Sequence, residues 1–269
     1  MPEGPEIRLA ADRVAGALLD DPLEDVFFGP ARLRRHRDAL LGATVRAVDT
    51  RGKAMLTRFD NGLTLYSHNQ LYGRWYTTVR GERPRTNRDL RVALHTRNRS
   101  AWLYSASEIE VLDDEGLARH PFLARLGPDV LDRDLSTARL AQRLAGDRFR
   151  RRTLGALYLD QGFLAGIGNY LRSEILFTAR LHPALRPADL STAERRRLAR
   201  ESLKLARRSY ESRGSTLPPS RRKGRRRGGR FWVYSRDDQP CRRCGTTVLR
   251  MDVGSRGLYL CPACQPRER

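Results

Sequence analysis

Long hydrophobic runs are missing from this sequence. No segment approaches the roughly 18 consecutive apolar residues that a membrane-spanning helix needs, and the N-terminus carries no hydrophobic signal. We therefore expect a soluble, cytoplasmic protein with no membrane partner.

Acidic residues are also in short supply. The 269 residues include 52 Lys and Arg but only 31 Asp and Glu, which gives a formal net charge of +21. Such an excess favours a polyanionic partner, and nucleic acid is the most common one for a protein of this size. The length allows one large domain or two, with a real core.

Cysteine is scarce and confined to the C-terminal end. The four cysteines form two C-x2-C pairs separated by 16 residues: Cys241, Cys244, Cys261 and Cys264. A reducing cytosol disfavours disulfides, whereas two pairs at this spacing suit four thiolates around one tetrahedral zinc ion. A redox dithiol is the alternative, but no thioredoxin-like βαβ pattern surrounds the pairs. Four sulfur ligands leave no open coordination position, so such a zinc ion is structural.

The first half of the chain changes its hydrophobic period after one helix. Five apolar residues recur at helical spacing near the N-terminus: Ile7, Ala10, Ala11, Val14 and Leu18. Short β-branched or aromatic runs follow, separated by turn sequences: EDVFF, TVRAVDT, AMLTRFD, LTLYS, RWYTTV, LRVALH and AWLYSA. They predict a β-rich domain, a two-sheet sandwich or barrel, over residues 1–126.

Beyond this domain the pattern becomes helical. The polar segment 127–134 contains a proline and is expected to be a linker. Ser136 can cap one helix, and the capping box STAE at 191–194 opens a long one. We therefore expect a helical domain over residues 134–217.

The C-terminal part consists of two smaller segments. Residues 218–236 include the low-complexity stretch SRRKGRRRGGR, which is poorly suited to a core and predicts a mobile basic loop. Residues 237–269 hold the cysteines and predict a zinc finger. The expected fold class is thus α+β multidomain, with an N-terminal β-sandwich and flanking helices ahead of a helical domain and a zinc ribbon.

Two features of the C-terminal half suit phosphate. The Gly-rich turn GIGNYLRSE exposes backbone N–H groups at a helix N-terminus, and Asn169 can donate to a phosphate oxygen. A tight helix connection uses the same residues, but in so basic a chain the turn favours a helix-hairpin or helix-two-turn-helix DNA-binding element. Arg256, between the cysteine pairs, either presents its guanidinium to phosphate from a zinc-held hairpin or is a solvated residue.

Three features of the N-terminal half remain ambiguous. The turn HNQLYG would expose Leu71 and Tyr72 as a wedge for a base stack, unless both begin a strand and pack inward. Lys53, in RGKAML, sits in a turn where lysine is ordinarily a solvated charge. The start MPEGPEI is explained as a helix lead-in, because proline suits a first turn and glutamates complement the helix dipole.

Taken together, these motifs resemble the formamidopyrimidine-DNA glycosylase and endonuclease VIII family. PEGPEI, RGKAML, YSHNQLYG, GIGNYLRSEIL and the four-cysteine ribbon match in order and spacing over nearly the whole chain, and YSHNQLYG is similar to the endonuclease VIII branch. The resemblance implies a helix-two-turn-helix domain, one structural zinc ion and no catalytic metal. It also implies a bacterial monomer that binds damaged double-stranded DNA and is nucleoid-associated when bound.

The resemblance assigns chemistry to the chain start. Removal of Met1 would leave Pro2 with a free secondary amine, a nucleophile able to form a Schiff base with deoxyribose. An α-amino group titrates near about 8, so part of it is neutral in the cytosol. Glu3 would be the general acid and base, with Glu6 in support. Lys53 would contact phosphate and donate a proton during elimination.

The remaining implied roles concern DNA. Three residues would fill the gap left by a flipped nucleotide: Gln70, Leu71 and Tyr72. Asn169 and Arg256 would hold the flanking phosphates, and Arg256 would assist δ-elimination. Glu174 would brace the N-terminus.

The implied activity is that of a bifunctional DNA glycosylase/AP lyase of base-excision repair. It would excise oxidised bases, by preference pyrimidines, and cleave by β,δ-elimination. A purine-type formamidopyrimidine-DNA glycosylase is one alternative, which the consecutive wedge residues disfavour. A non-catalytic zinc-ribbon DNA-binding protein and a binder of structured RNA are others. SRRKGRRRGGR is more basic than the family pattern, and we expect it to be a nonspecific phosphate-binding segment.

Overall fold

The computed structural model describes residues 2–221 and 229–267. The chain divides into two compact units, Met1–Arg125 and Leu126–Arg269. Residues 222–228 of the mobile loop expected over 218–236 lie outside the described residues. The rest of that stretch is not a mobile loop, since Pro219–Arg221 forms a 3-10 turn and both Phe231 and Val233 are buried. In the described part of the chain, no helix combines the length and the hydrophobicity needed to span a bilayer.

The first unit is a sandwich of two antiparallel four-stranded sheets, with strand orders β1-β6-β7-β5 and β2-β3-β4-β8. Its strands are β1 (Asp25–Phe28), β2 (Val45–Arg51), β3 (Ala54–Phe59), β4 (Thr64–His68), β5 (Arg74–Val79), β6 (Leu90–His95), β7 (Arg99–Tyr104) and β8 (Glu108–Leu112). Its helices are α1 (Gly4–Leu18), α2 (Arg37–Leu40) and α3 (Asp114–Arg119), with 3-10 turns at Ala31–His36 and Leu123–Arg125. The predicted β-sandwich is confirmed, and β8 is a strand that the sequence analysis did not identify.

The core of this unit lies between the sheets and under α1. Inward-facing side chains of both sheets form one cluster with the apolar face of α1, and the five apolar residues predicted for that face are all buried. Burying such a stripe removes apolar surface from water and favours this helix despite its short length. Trp75 Nε1 donates to Ser67 Oγ across the core at 3.3 Å.

The second unit is helical and ends in a hairpin. Its helices are α4 (Thr137–Ala145), α5 (Leu154–Leu157), α6 (Asn169–Thr178) and α7 (Thr192–Glu211), and its hairpin pairs β9 (Leu249–Val253) with β10 (Arg256–Leu260). Further 3-10 turns lie at Pro187–Asp189 and Pro219–Arg221. The predicted caps are present, since Ser136 Oγ accepts from the Arg139 N–H at 3.2 Å and Ser191 Oγ accepts from the Glu194 N–H at 3.2 Å.

The segment 127–134 is not the linker that its polar composition suggested. Val130 is fully buried in the core of the second unit. Its N–H donates to Ala165 O at 3.0 Å, and the Ala165 N–H donates to Pro128 O at 2.9 Å. One apolar side chain and two backbone hydrogen bonds thus build this segment into the helical fold.

Candidate active site and nucleic-acid interface

The N-terminus is a packed helix start rather than a frayed end. Glu3 is the N-cap of α1 and is only 3 % exposed, while Pro2 before it is half-buried. The Glu3 N–H donates to Glu6 Oε2 at 3.0 Å, so Glu6 fixes the backbone that carries Glu3. The structure therefore holds a buried carboxylate next to the second residue of the chain.

Lys53 lies in the two-residue connection between β2 and β3. Gly52 takes a left-handed conformation with φ 61°, and its lack of a Cβ lets the hairpin close so tightly. Lys53 is 7 % exposed, so the expectation of a solvated charge is wrong. Burying an ammonium group costs free energy unless polar groups surround it.

The loop between β4 and β5 carries two exposed apolar side chains. Leu71 is 57 % exposed and Tyr72 is 68 % exposed, which excludes the alternative that they pack inward. The Gly73 N–H donates to Asn69 O at 2.7 Å and closes the turn. A Cβ on Gly73 would meet the Asn69 Cα at 2.6 Å, so this close approach requires glycine.

Gln70, in contrast, is folded back onto the sheet. Its backbone has a left-handed φ of 46°, and its N–H donates to His68 Nδ1 at 3.2 Å. Its side-chain Oε1 accepts from Ser107 Oγ at 2.9 Å, and its Nε2 donates to Glu108 Oε1. Sequence analysis did not identify Ser107 and Glu108, because nothing near them in the chain points to Gln70.

His68 links this loop to Lys53 electrostatically. Burial lowers the pKa of His68, with Glu108 opposing the shift and Lys53 adding to it. The neutral ring leaves Nδ1 as the acceptor for the Gln70 N–H. Within the first unit, His68 is therefore influenced by the charge of Lys53 and accepts a hydrogen bond from Gln70.

In the second unit, one buried arginine connects the two predicted phosphate ligands. Arg172 is fully buried on α6, and its Nη2 donates to Asn169 Oδ1 at 3.2 Å and to Gly257 O at 3.1 Å. The contact to Asn169 Oδ1 directs the amide NH2 of Asn169 away as a donor. Arg256 is exposed beside the two-residue turn of the β9–β10 hairpin. Arg172 was not singled out from the sequence, where it is one arginine among many.

Glu174 is buried inside the second unit, and its predicted role as a brace of the N-terminus stays a prediction. Its fully buried carboxylate accepts from the N–H groups of Trp232, Val233 and Tyr234 at 2.7, 2.8 and 3.0 Å, and from Thr216 Oγ1. Burial raises the pKa of the Glu174 carboxyl, and these four donors oppose the shift. Glu174 thus anchors the segment that leads into the cysteine ribbon.

The four cysteines converge on one point. Their Sγ atoms all lie within 4.8 Å of one another, with Cys244–Cys261 at 3.5 Å and Cys241–Cys264 at 4.0 Å. These distances are far too long for a disulfide and match the edge of about 3.8 Å of a tetrahedron with Zn–S bonds of about 2.3 Å. The cluster fits one structural zinc ion, held by Cys241, Cys244, Cys261 and Cys264.

Family models match three stretches of the chain. The formamidopyrimidine-DNA glycosylase N-terminal domain matches residues 1–107, the H2TH domain of the same proteins matches residues 126–219, and the zinc finger found in FPG and IleRS matches residues 238–267. All three follow the order that the motifs predicted.

Relatives and solved structures cover nearly the whole chain. An Escherichia coli protein named Endonuclease 8 is 49 % identical over 267 residues, which is 98 % of this chain and 100 % of that protein. The Shigella sonnei Endonuclease 8 is 48 % identical with the same coverage. The Lactococcus lactis Fpg bound to DNA with an oxidised pyrimidine has a TM-score of 0.83 at 19 % identity, covering 99 % of this chain and 100 % of that one. A mutant of that protein bound to a Fapy-dG-containing DNA gives the same TM-score, identity and coverage.

Proposed function

The chain belongs to the formamidopyrimidine-DNA glycosylase and endonuclease VIII family, and from this membership we infer that it is a bifunctional DNA glycosylase/AP lyase of base-excision repair. Its partner is damaged double-stranded DNA. Full-length identity of 48 % or more to proteins named Endonuclease 8 favours oxidised pyrimidines as the bases it removes.

The observation that carries the catalytic assignment is the buried start of α1. After removal of Met1, the Pro2 nitrogen attacks C1′ of the flipped deoxyribose, the C1′–N glycosidic bond breaks and the damaged base leaves. The adduct becomes an iminium ion as the sugar ring opens. Glu3, directly after the nucleophile and 3 % exposed, is suited to move the protons of this step.

Strand cleavage follows from the same iminium ion. Its positive charge acidifies the C2′ proton, and loss of that proton expels the 3′ phosphate in β-elimination. A second elimination expels the 5′ phosphate and releases the sugar remnant. Lys53 is the proposed proton donor, because a buried ammonium is both an acid and a phosphate contact. The steps are a nucleophilic displacement by an amine, proton transfers and eliminations, so a metal is not required at the reacting centre.

The remaining residues position the DNA. Leu71 and Tyr72, both exposed, and Gln70 beside them are the proposed filling for the gap that the flipped nucleotide leaves. Asn169 and Arg256 are the proposed ligands of the flanking phosphates, and Arg256 assists the second elimination. The structural zinc ion keeps the hairpin that carries Arg256 rigid.

We further propose a cellular location for the protein and a division of its chain. The protein acts in the bacterial cytoplasm and is associated with the nucleoid when bound to DNA. Its working parts are a catalytic domain over 1–126, a helix-two-turn-helix domain over 134–217 together with the packed segment 127–133, a basic segment over 218–236 whose end is anchored on Glu174, and a zinc finger over 237–269.

Borohydride trapping tests the proposed nucleophile. The full-length protein is mixed with a duplex that carries one oxidised pyrimidine, the imine is reduced, and the N-terminal peptide is analysed by mass spectrometry. We expect a stable adduct on Pro2 and no Met1. A preparation that releases the base but yields no adduct on Pro2 would assign the chain start a structural role, and one that binds DNA but neither cleaves nor traps would leave a zinc-ribbon DNA-binding protein.

A matched pair of variants tests Glu3. Glu3→Gln keeps the shape and should slow base release about 10²- to 10⁴-fold, the usual contribution of general acid–base catalysis. Glu24→Gln, at an exposed site of the same unit, is the control. Equal rates for the two variants would contradict the assignment.

A further inference from the structure

The loop of residues 69–73 holds its three proposed wedge residues in two different states. Leu71 and Tyr72 project into solvent, with 57 % and 68 % of their surface exposed. Gln70 is instead tied down at both ends of its side-chain amide, where Ser107 Oγ donates to its Oε1 at 2.9 Å and its Nε2 donates to Glu108 Oε1. The three neighbours in sequence are therefore not equally ready to enter DNA.

The backbone of Gln70 supports the same arrangement. A non-glycine residue with φ 46° is uncommon and persists where surrounding contacts hold it. Those contacts are the Gln70 N–H to His68 Nδ1 at 3.2 Å and the two side-chain hydrogen bonds to the start of β8. On the other side of the loop, Arg88 Nη1 donates to Tyr72 O at 2.7 Å.

The tethered amide conflicts with insertion. Two hydrogen bonds, one at the amide oxygen and one at the amide nitrogen, hold the Gln70 side chain against Ser107 and Glu108 at the edge of the sheet. To fill a gap in the duplex, Gln70 must first leave both partners. Glu108 is also exposed, and its negative charge favours Gln70 but not DNA at this edge of the sheet.

We propose that Ser107 and Glu108 form a latch that holds Gln70 out of the duplex, so that its release is a separate step after Leu71 and Tyr72 have engaged. The inference rests on the proposed role of this loop in filling the gap. Ser107 and Glu108 are positioning residues that act on DNA only through Gln70. With the latch, Gln70 inserts only where a flipped nucleotide has left a gap in the base stack. The latch therefore helps the protein to discriminate damaged from intact duplex.

The test measures insertion directly. A duplex carries a stable abasic-site analogue, with 2-aminopurine next to the position that the loop enters, and stopped-flow fluorescence follows unstacking. The full-length protein is compared with Glu108→Ala and Ser107→Ala. Glu110→Ala is the matched control, because Glu110 lies two residues along the same strand and pairs with His120 Nε2 at 3.5 Å rather than with Gln70.

A double-mutant cycle separates the effect of the hydrogen bond between Gln70 and Glu108 from the effect of the Glu108 charge on DNA. Glu108→Ala should accelerate the insertion phase about three- to tenfold, as expected for an exposed hydrogen bond to a charged group. Ser107→Ala should accelerate it less, and Glu110→Ala less than about twofold. In a protein that already carries Gln70→Ala, Glu108→Ala should accelerate insertion no more than the control substitution Glu110→Ala does. Unchanged thermal unfolding midpoints would show that each variant is folded.

Other outcomes would overturn the proposal. A slower insertion phase in Glu108→Ala would mean that the contacts preorganise the loop instead of restraining it. An equal acceleration with and without Gln70 would assign the effect to charge alone. The wild-type protein could form the borohydride-trapped adduct with lesion DNA and yet show no insertion signal. That result would refute the role of the loop as a wedge, and with it the latch, but would leave the proposed chemistry intact.

Discussion

Replacing Glu174 by glutamine should loosen the cysteine ribbon from the helical unit. In the native protein one carboxylate oxygen accepts from the Val233 and Tyr234 N–H groups, and the other accepts from the Trp232 N–H and Thr216 Oγ1. Glutamine has a single acceptor oxygen. Its NH2 group must therefore face at least one backbone N–H that has lost its partner.

The magnitude follows from these contacts. Losing a hydrogen bond to a charged group costs about 1.5–3 kcal/mol, and a buried N–H without an acceptor adds about 1–3 kcal/mol. A neutral amide is easier to bury than a carboxylate, which offsets part of this cost. We expect a net loss of about 3 kcal/mol in the free energy of unfolding, or about 6–12 °C in the melting temperature.

Circular dichroism during heating measures this change, and a chelator-competition assay follows zinc release in parallel. Glu211→Gln is the control, because Glu211 is an exposed residue at the end of α7. It should alter the free energy of unfolding by less than about 0.5 kcal/mol. If Glu174→Gln has the same melting temperature as Glu211→Gln and retains zinc equally well, the Glu174 carboxylate does not hold the ribbon in place.

Four shorter predictions concern the interface and the metal. Leu71→Ala combined with Tyr72→Ala should leave the melting temperature nearly unchanged, since both side chains are exposed, but should raise KM for a lesion duplex; an unchanged KM would remove them from the interface. Arg256→Ala should weaken DNA binding and reduce the slope of log K against log salt by about 1, the effect of one phosphate contact, as measured by fluorescence anisotropy. Burial lowers the pKa of His68 from its unfolded value of about 6.5, so the folded loop contains the neutral ring. The order that this neutral ring gives the Gln70 loop is complete above pH 6.5 and is lost as the pH falls through the lowered pKa of the folded protein. Protease nicking of the loop should therefore increase on acidification, and a pH-independent cleavage rate would argue against this. Removing zinc with a chelator should abolish binding to DNA while leaving the β-sheet circular dichroism of the first unit in place.

Much of the fold could be predicted from the sequence because its signals are local. Short β-branched or aromatic runs marked the strands from β1 to β7, and the Ser191 capping box marked the start of α7. β8 was missed because two of the five residues in EIEVL are glutamates, a residue type that is depleted in strands. The segment 127–134 was misjudged because composition does not reveal that Val130 enters a core.

The candidate site divides in the same way. The spacing of the four cysteines was sufficient to point to a metal, whereas Pro2 and Glu3 were assigned as nucleophile and acid only through the resemblance to the family. Their catalytic roles stay predictions until the trapping experiment is done. The burial of Lys53 contradicted the ordinary behaviour of a turn lysine, because hairpin closure and packing decide burial.

The sequence by itself determined which chemistry this protein can carry, since nucleophile, carboxylates and thiolates are properties of single residues and short spacings. Only the tertiary structure decided which groups restrain one another. Gln70 meets Glu108 across 38 residues, and Arg172 meets Gly257 across 85 residues. Such contacts depend on how strands and helices pack, because a hydrogen bond forms only when the folded backbone brings donor and acceptor within about 3 Å.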